Sequence, residues 1–262
     1  MGSAQEFWRL GDDEFERMLV LSGEAGQMEL KLVVPVSAQA ATCAALGVRM
    51  SRASARRVYF LDTLGLALRK HGIVVRVRSK ARQAGDSVIK LRPVEPRSLP
   101  GRLRRSKQFV VEVDAMPGNF VCSGALKERL GAGDVERAIT EKRPLRKLFS
   151  KRQLELFAAH APAEVRFDDL MLLGPVEVRR AKVTPAGMDR ALTVERWTYP
   201  DGSRILEIST RCATAESLRV TKRLAAVLRA HRVDIADDQL TKTQATLNYF
   251  GGGGDRRVPT AA

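Results

Sequence analysis

Short segments in which polar and apolar residues alternate recur along the chain. Such a period-two pattern is typical of strands with one buried face. The segments that show it are residues 27–32, 57–62, 73–78, 87–92, 109–114, 176–183, 192–199 and 204–211. Helices are predicted over residues 123–160, from Thr214 to about Arg229, and from about Asp237 onwards. Strands and helices come in separate groups, which predicts an α+β fold.

One domain is predicted over residues 27–250. Residues 1–26 precede the first strand and form an N-terminal segment. A run of glycines, Gly251 to Gly254, begins a tail over residues 251–262 that we predict to be flexible. Between the last two strands, Pro200-Asp201-Gly202 predicts a hairpin turn.

The polar faces of these strands are mostly ionic, and each favours one sign of charge. Arg76 and Arg78 share one strand face, and Glu112 and Asp114 share another. A solvent-exposed sheet explains an ionic face on any single strand. A closed antiparallel barrel with a polar lumen and helices on its apolar exterior explains the repetition. Such a lumen would bind an anion through Arg and Lys and a divalent cation through carboxylates, which together indicate a metal-bound phosphate chain.

Composition narrows the class of partner. The 262 residues include 45 Lys and Arg against 30 Asp and Glu, a formal net charge of +15, so a polyanionic ligand is expected. Aromatic residues make up only 5%, few for a protein that stacks on single-stranded bases.

No apolar run approaches the ~20 residues that span a bilayer. The three cysteines lack the spacing of a zinc site. We therefore expect a soluble, cytoplasmic protein with no membrane partner.

A series of short motifs runs from residue 27 to about residue 250, nearly the whole chain. The first is Gln27-x-Glu29-x-Lys31. The others are Tyr59-Phe60-x-Asp62-Thr63, Leu68-Arg69-x-x-Gly72, Arg76-x-Arg78, Lys90-Leu91-Arg92, Glu112-x-Asp114, the segment from Tyr199 to Ser209, and Thr241-Lys242-Thr243. In order and spacing these motifs resemble those of the CYTH, or triphosphate tunnel metalloenzyme, superfamily, whose first-strand signature is Glu-x-Glu-x-Lys.

The resemblance implies a closed eight-stranded antiparallel tunnel with helices packed on its outside. Members of the superfamily include inorganic and thiamine triphosphatases, RNA triphosphatases and class IV adenylyl cyclases, and they hold Mg or Mn on acidic residues and phosphates on basic ones. The implied metal ligands are Glu29, Glu112, Asp114 and Glu207, and the implied catalytic residues are Glu29, Glu112 and Glu207. The implied phosphate-binding residues are Lys31, Arg76, Arg78, Lys90, Arg92, Arg180, Lys182, Arg211 and Lys242.

Two departures from the family pattern leave the activity open. Gln27 stands where the signature has Glu, and a neutral amide is a poorer ligand than a carboxylate for a hard divalent cation. Asp114 stands where many members have the longer Glu. Outside the site, Asp62 is expected to cap the following helix and Trp197 to pack in the core.

The leading hypothesis is an enzyme that uses a divalent metal to hydrolyse a triphosphate or a short polyphosphate inside a basic tunnel. The candidate triphosphates are inorganic triphosphate, thiamine triphosphate and a nucleoside triphosphate. The alternatives are a noncatalytic module that binds polyphosphate or nucleotide and a class IV-type adenylyl cyclase. Binding to nucleic acid is favoured only by the high pI of about 10.4, and no specific nucleic acid is expected as a partner.

Overall fold

The computed structural model describes residues 7–81 and 83–251. Its strands are β1 (Gln27–Val34), β2 (Ser54–Asp62), β3 (Ile73–Lys80), β4 (Gln83–Leu91), β5 (Phe109–Met116), β6 (Asn119–Ala132), β7 (Met171–Val183), β8 (Leu192–Thr198) and β9 (Arg204–Ala213). The α-helices for which both ends are described are α1 (Asp12–Ala25), α2 (Gln39–Ala45), α3 (Ala67–Lys70), α4 (Gly101–Arg104), α5 (Asp134–Thr140), α6 (Lys151–His160), α7 (Ser217–Ala230) and α8 (Lys242–Gly251). Across the described residues, no helix has both the length and the apolar character needed to cross a membrane. The predicted tail lies outside the described residues except for Gly251, which ends α8.

The strands close into a barrel in the order β1-β5-β6-β4-β3-β2-β7-β8-β9. The predicted closed barrel is confirmed, but the prediction of eight antiparallel strands is wrong. Neighbouring strands are antiparallel around the ring except β1 and β5, which run parallel. Directions cannot alternate throughout a closed ring with an odd number of strands, so nine strands require at least one parallel pair.

The strand that the sequence pattern missed is β6. Residues 123–132 belong to it, although they were predicted to be helical, and α5 and α6 follow it. Leu126 and Leu130 lie four residues apart, and Lys127 and Glu128 favour helices, so the local sequence is compatible with a helix. β6 pairs with β4 on one side and β5 on the other. These two ladders satisfy its backbone hydrogen bonds and override the weak local preference.

The outer surface of the barrel forms the main hydrophobic core with the surrounding helices. On β1, the buried residues Met28, Leu30 and Leu32 alternate with more polar positions on the opposite face. Met18 of α1 and Leu224 of α7 pack into the same core. Because the apolar strand faces point outwards against helices, the ionic faces point into the lumen.

One end of the lumen is filled by a second hydrophobic cluster. Phe60, Val74 and Trp197 lie on the inward faces of three strands and pack with Leu247 and Phe250 of α8. This cluster is separate from the main core on the outer side of the barrel wall. The opposite end, where β1 begins and β9 ends, is polar and is called the open end below.

Candidate functional site

The strand register gathers charged side chains into the polar part of the lumen. Glu29 of β1 lies opposite Arg211 of β9 and Asp114 of β5. Across the barrel, Arg78 of β3 lies opposite Asp86 of β4. Alternate residues of each strand share its inward face. Charged residues that are distant in sequence therefore face the same lumen.

Three carboxylates lie close together where β1 meets β5. Glu29, Glu112 and Asp114 each offer an oxygen atom, and these atoms all lie within 4.8 Å of one another. Glu112 and Asp114 are buried, and Glu29 is half-buried. We call these three residues the carboxylate triangle. Its oxygen donors and close spacing are those of a site for a hard divalent cation.

Two lysines bridge two edges of the carboxylate triangle. Lys31 Nζ lies 3.1 Å from Glu29 Oε2 and 2.7 Å from Asp114 Oδ1. Lys90 Nζ lies 2.9 Å from Asp114 Oδ2 and 3.5 Å from Glu112 Oε1. Each ammonium group thus compensates two carboxylates at once, which offsets the desolvation of all three groups.

Two arginines complete the surroundings of the carboxylate triangle. Arg211 Nη2 lies 3.2 Å from Glu29 Oε2 and 3.2 Å from Glu112 Oε2, so it bridges the third edge. Arg92 Nη2 lies 3.5 Å from Asp114 Oδ2. The side chain of Arg211 is 61% exposed, which places this edge nearest the open end.

These ion pairs outweigh burial in setting the pKa values of Glu29, Asp114 and Lys31, whereas burial prevails at Lys90 and lowers its pKa. Burial raises the pKa of Glu29, but Lys31 acts against it, and the net result is a pKa of about 2. Burial also raises the pKa of Asp114, yet Lys31 and Lys90 hold it below its ordinary value. Burial lowers the pKa of Lys31, but Asp114 and Glu29 together hold it above its ordinary value. The carboxylates of Glu29 and Asp114 are therefore ionised at neutral pH.

A second carboxylate pair lies nearer the closed end. Lys242 Nζ, from α8, lies 2.6 Å from Glu195 Oε2 and 2.7 Å from Glu207 Oε1. Arg180 pairs with Glu195 at 3.2 Å, and the indole N–H of Trp197 donates to Glu195 at 3.3 Å. Burial raises the pKa of Glu207, although Lys242 partly opposes this shift. Glu207, a predicted metal ligand, is thus placed with Glu195 and Lys242 and not in the carboxylate triangle.

The lumen wall formed by β2 and β3 carries arginines with few carboxylate partners. Arg56 and Arg76 form no ion pair with a described residue, and the buried Nε of each has no hydrogen-bond acceptor. Burial, reinforced by Arg78, lowers the pKa of Arg76 to about 9, so its guanidinium is still charged at neutral pH. Arg78 pairs with Asp86 at 2.7 Å. We call Arg56, Arg76 and Arg78 the arginine wall. Arg56 and Arg76 therefore carry guanidinium charges that no described carboxylate neutralises through an ion pair, and such groups can bind an anion.

The predicted phosphate-binding residues divide by position. One group surrounds the carboxylate triangle: Lys31, Lys90, Arg92 and Arg211. Arg76 and Arg78 belong to the arginine wall, and Arg180 and Lys242 contact Glu195. Lys182 is exposed on the same face of β7 as Arg180. The structure brings these residues to one lumen, and their binding of phosphate stays a prediction.

Three charged residues of the lumen were not predicted: Arg56, Asp86 and Lys127. Arg56 shares its strand face with Val58 and Phe60, so no ionic alternation marks it. Lys127 lay within the predicted helix. Asp86 lay in a predicted loop, although its even spacing from Lys90 places both on one face of a strand.

The donors of the carboxylate triangle fit Mg or Mn, which prefer carboxylate oxygen ligands. Gln27 begins β1 and shares the face of Glu29, but it is exposed and lies outside the triangle. The three carboxylates therefore come together without the acidic residue that the family signature has at this position.

Asp62 was predicted to cap a helix and Trp197 to pack in the core, and both lie in such positions. The carboxylate of Asp62 accepts hydrogen bonds from the backbone N–H groups of Thr63, Leu68 and Arg69, which caps α3. Trp197 is 3% exposed and packs in the cluster at the closed end.

Replacing Arg76 by Met is expected to stabilise the protein without ligand and to weaken its stabilisation by tripolyphosphate. Methionine removes a buried charge that has no carboxylate partner, and we expect a gain of about 1 kcal/mol, a few degrees in Tm. Thermal unfolding with and without tripolyphosphate measures both effects. Arg57→Met is the control, since Arg57 is exposed on the outside of β2 and pairs with Glu177. A lower Tm for Arg76→Met together with an unchanged ligand shift would contradict the assignment.

Comparisons with known proteins show which solved structures share this fold. No protein-family profile and no curated protein matches the sequence. The chain is similar in structure to a candidate adenylyl cyclase from Hippeastrum that has a dominant triphosphatase activity, with 17% identity and a TM-score of 0.59 over 89% of this chain and 98% of that one. It is also similar to a candidate adenylate cyclase from Bacillus halodurans, with 14% identity and a TM-score of 0.57 over 84% of this chain and 98% of that one. The chain therefore shares the fold of these two proteins, and this is the fold that the resemblance of its motifs to the CYTH, or triphosphate tunnel metalloenzyme, superfamily implies.

Proposed function

We propose that the protein is a metal-dependent triphosphatase that hydrolyses inorganic triphosphate, thiamine triphosphate or a nucleoside triphosphate. The observation that carries the proposal is that one lumen has the carboxylate triangle on one side and the arginine wall on the other. Phosphoryl transfer depends mainly on positioning the phosphate chain and neutralising its charge. Fixed cations and a metal site that face one cavity can do both.

The arginine wall would bind the phosphate chain. A guanidinium group can donate two parallel hydrogen bonds to phosphate oxygens, and it stays charged over the whole neutral range. Arg56 and Arg76 can do so without breaking an ion pair with a described residue, because neither forms one. Both are partly buried, so the electrostatic attraction is screened less than at an exposed site.

The carboxylate triangle would hold Mg or Mn. When bound, a divalent cation neutralises phosphate charge and polarises the phosphoryl group. Lys31 and Lys90 fix the orientation of the three carboxylates through the ion pairs described above. In the hydrolysis, a water oxygen bonds to the terminal phosphorus, and the bond from that phosphorus to the bridging oxygen breaks. The leaving phosphate keeps the bridging oxygen and its electron pair, and the proton that the water loses passes to a phosphate oxygen of the products or to solvent.

A noncatalytic polyphosphate-binding protein is the second candidate function. Lys31, Lys90 and Arg211 already compensate every pair of carboxylates in the triangle, so a metal ion must compete with three fixed cations. The arginine wall would still bind phosphate. Cyclisation of ATP is less well supported, because the inward-facing aromatic residues Phe60 and Trp197 are packed in the closed end and offer no surface to adenine.

Phosphate release from tripolyphosphate, thiamine triphosphate and ATP, each with Mg and with Mn, tests the proposal. We expect turnover of at least one substrate and its loss when the metal is chelated. Binding of tripolyphosphate without any turnover would favour the noncatalytic candidate. Formation of cyclic AMP from ATP would favour the cyclase.

A further inference from the structure

An exposed basic surface lies on the outside of the barrel, in the segment that precedes β5. Four cations of this segment are exposed and form no ion pair with a described residue. The exposed side chain of Arg152, in the first turn of α6, donates to the side chain of Gln108 and so joins the same surface. We call the five cations the basic flank: Arg102, Arg104, Arg105, Lys107 and Arg152.

The basic flank lies beside the rim of the open end. Its main segment leads into Phe109, the first residue of β5. Met28 of β1 pairs with Val113, so the first residues of β5 extend past the start of β1, at the end where the lumen opens. Val110 shares the inward face of Glu112 and is 43% exposed, as expected for a rim position.

Further exposed cations connect the basic flank with the lumen. Lys127 and Arg129 lie on β6, which is the neighbour of β5. Arg129 pairs in register with Asp86, which contacts Arg78 of the arginine wall. Cations therefore extend from the arginine wall over the rim towards the basic flank, with Asp86 among them as the partner of Arg78 and Lys127. We call this series of cations the basic path.

A bound triphosphate does not account for this outer charge. A triphosphate that lies between the arginine wall and the carboxylate triangle is enclosed by residues of the lumen and cannot contact the outer surface. A longer phosphate chain with one terminus in the lumen can leave it only through the open end, because the hydrophobic cluster with α8 fills the other. At the rim, the chain would meet the cations of the basic path.

We infer that the basic flank binds the part of a linear inorganic polyphosphate that extends out of the lumen, so that the preferred ligand is longer than a triphosphate. The inference rests on the proposed function, whose phosphate site it extends. An inorganic chain fits this surface better than RNA does, because residues 101–108 contain no aromatic side chain on which a base could stack.

The inference is tested by measuring how tightly the full chain binds tripolyphosphate and long-chain polyphosphate. The two affinities are compared per molecule of ligand. The test variant carries Arg102→Gln, Arg104→Gln and Arg105→Gln. The matched control carries Lys222→Gln, Arg229→Gln and Arg232→Gln, three exposed cations on and after α7 that form no ion pair with a described residue. Both variants lose three positive charges at exposed positions, and their Tm values should stay close to that of the wild type.

The wild type should bind the long chain at least about tenfold more tightly than tripolyphosphate. The test variant should lose about tenfold in affinity for the long chain and less than about twofold for tripolyphosphate. For the long chain, the slope of the logarithm of the binding constant against the logarithm of the salt concentration should become shallower by about two. The control should bind both as the wild type does. Equal losses for both ligands, or no loss for either, would overturn the inference.

Two further outcomes separate this inference from the proposed function. If the wild type binds neither ligand, the proposed function fails as well. If it binds tripolyphosphate but has no preference for the longer chain, only the inference fails. Tighter binding of RNA with a 5′-triphosphate, lost in the same test variant, would assign the basic flank to RNA and overturn the polyphosphate assignment.

Discussion

Glu112→Gln is expected to lower metal-dependent phosphate release at least about 100-fold. Glutamine keeps the size of the side chain but removes one of the three negative charges of the carboxylate triangle. Mutation of groups that merely orient metal ligands costs about 10- to 100-fold in metal affinity or activity, so loss of a charged ligand should cost at least as much. The fold should survive, because Lys90 retains its closer contact with Asp114, at 2.9 Å.

Initial rates over a titration of Mg or Mn measure this loss. Glu177→Gln is the matched control, because Glu177 is exposed on the outer face of β7 and pairs with Arg57. Tripolyphosphate should bind Glu112→Gln at least as well as the wild type when metal is absent, since a repelling charge has been removed. A rate within about twofold of the wild type at every metal concentration would exclude Glu112 from the metal site.

The inward-facing residues of regular strands could be predicted from the sequence. Glu29 and Lys31 on β1, and Arg76 and Arg78 on β3, alternate with apolar residues, and alternation alone assigns each pair to one face. The motif order then indicated a closed barrel, which turns those faces inwards. The first step depends only on strand periodicity, and the second depends on the resemblance of the motifs to those of the CYTH superfamily.

Register around the ring could not be predicted, and it decides which charges meet. Glu207 shares a strand face with Arg211, so the sequence offers no reason to separate it from the other predicted metal ligands. In the structure, Glu207 lies opposite Val33, whereas Arg211 lies opposite Glu29. Four residues along a strand correspond to about 13 Å. Glu207 therefore meets Lys242 of α8, whose position depends on how that helix packs across the closed end.

The number of strands could not be predicted, because the local sequence of one segment is compatible with both a helix and a strand. β6 contains residues that suit a helix, and only its pairing with β4 and β5 makes it a strand. The sequence also could not predict that one cation bridges each edge of the carboxylate triangle, because these contacts combine residues of β1, β4, β5 and β9. Such contacts follow from long-range packing, which periodicity does not encode.

Asp114→Asn is expected to cause a large loss of stability. Asp114 is 4% exposed and compensates three cations, with Lys31 at 2.7 Å, Lys90 at 2.9 Å and Arg92 at 3.5 Å. An uncharged amide leaves these buried cations without their shared carboxylate, and breaking a buried ion pair in this way costs about 3–5 kcal/mol. Unfolding in denaturant at neutral pH measures the loss. Glu177→Gln, which breaks an exposed pair, should cost less than about 1 kcal/mol.

The pH dependence of this loss identifies its cause. The ion pairs hold the pKa of Asp114 below its ordinary value of 3.8, so its carboxylate stabilises the fold fully above that pH. As the pH falls through 3.8, the unfolded chain takes up a proton that the folded carboxylate does not, and the stabilisation decreases. The difference between wild type and Asp114→Asn should therefore narrow between about pH 5 and pH 2. Adding Arg92→Met to Asp114→Asn should recover part of the stability, because Asp114 is the only described residue with which Arg92 forms an ion pair. A difference that does not change with pH, and no recovery in the double variant, would mean that Asp114 stabilises the barrel through packing and not through its charge.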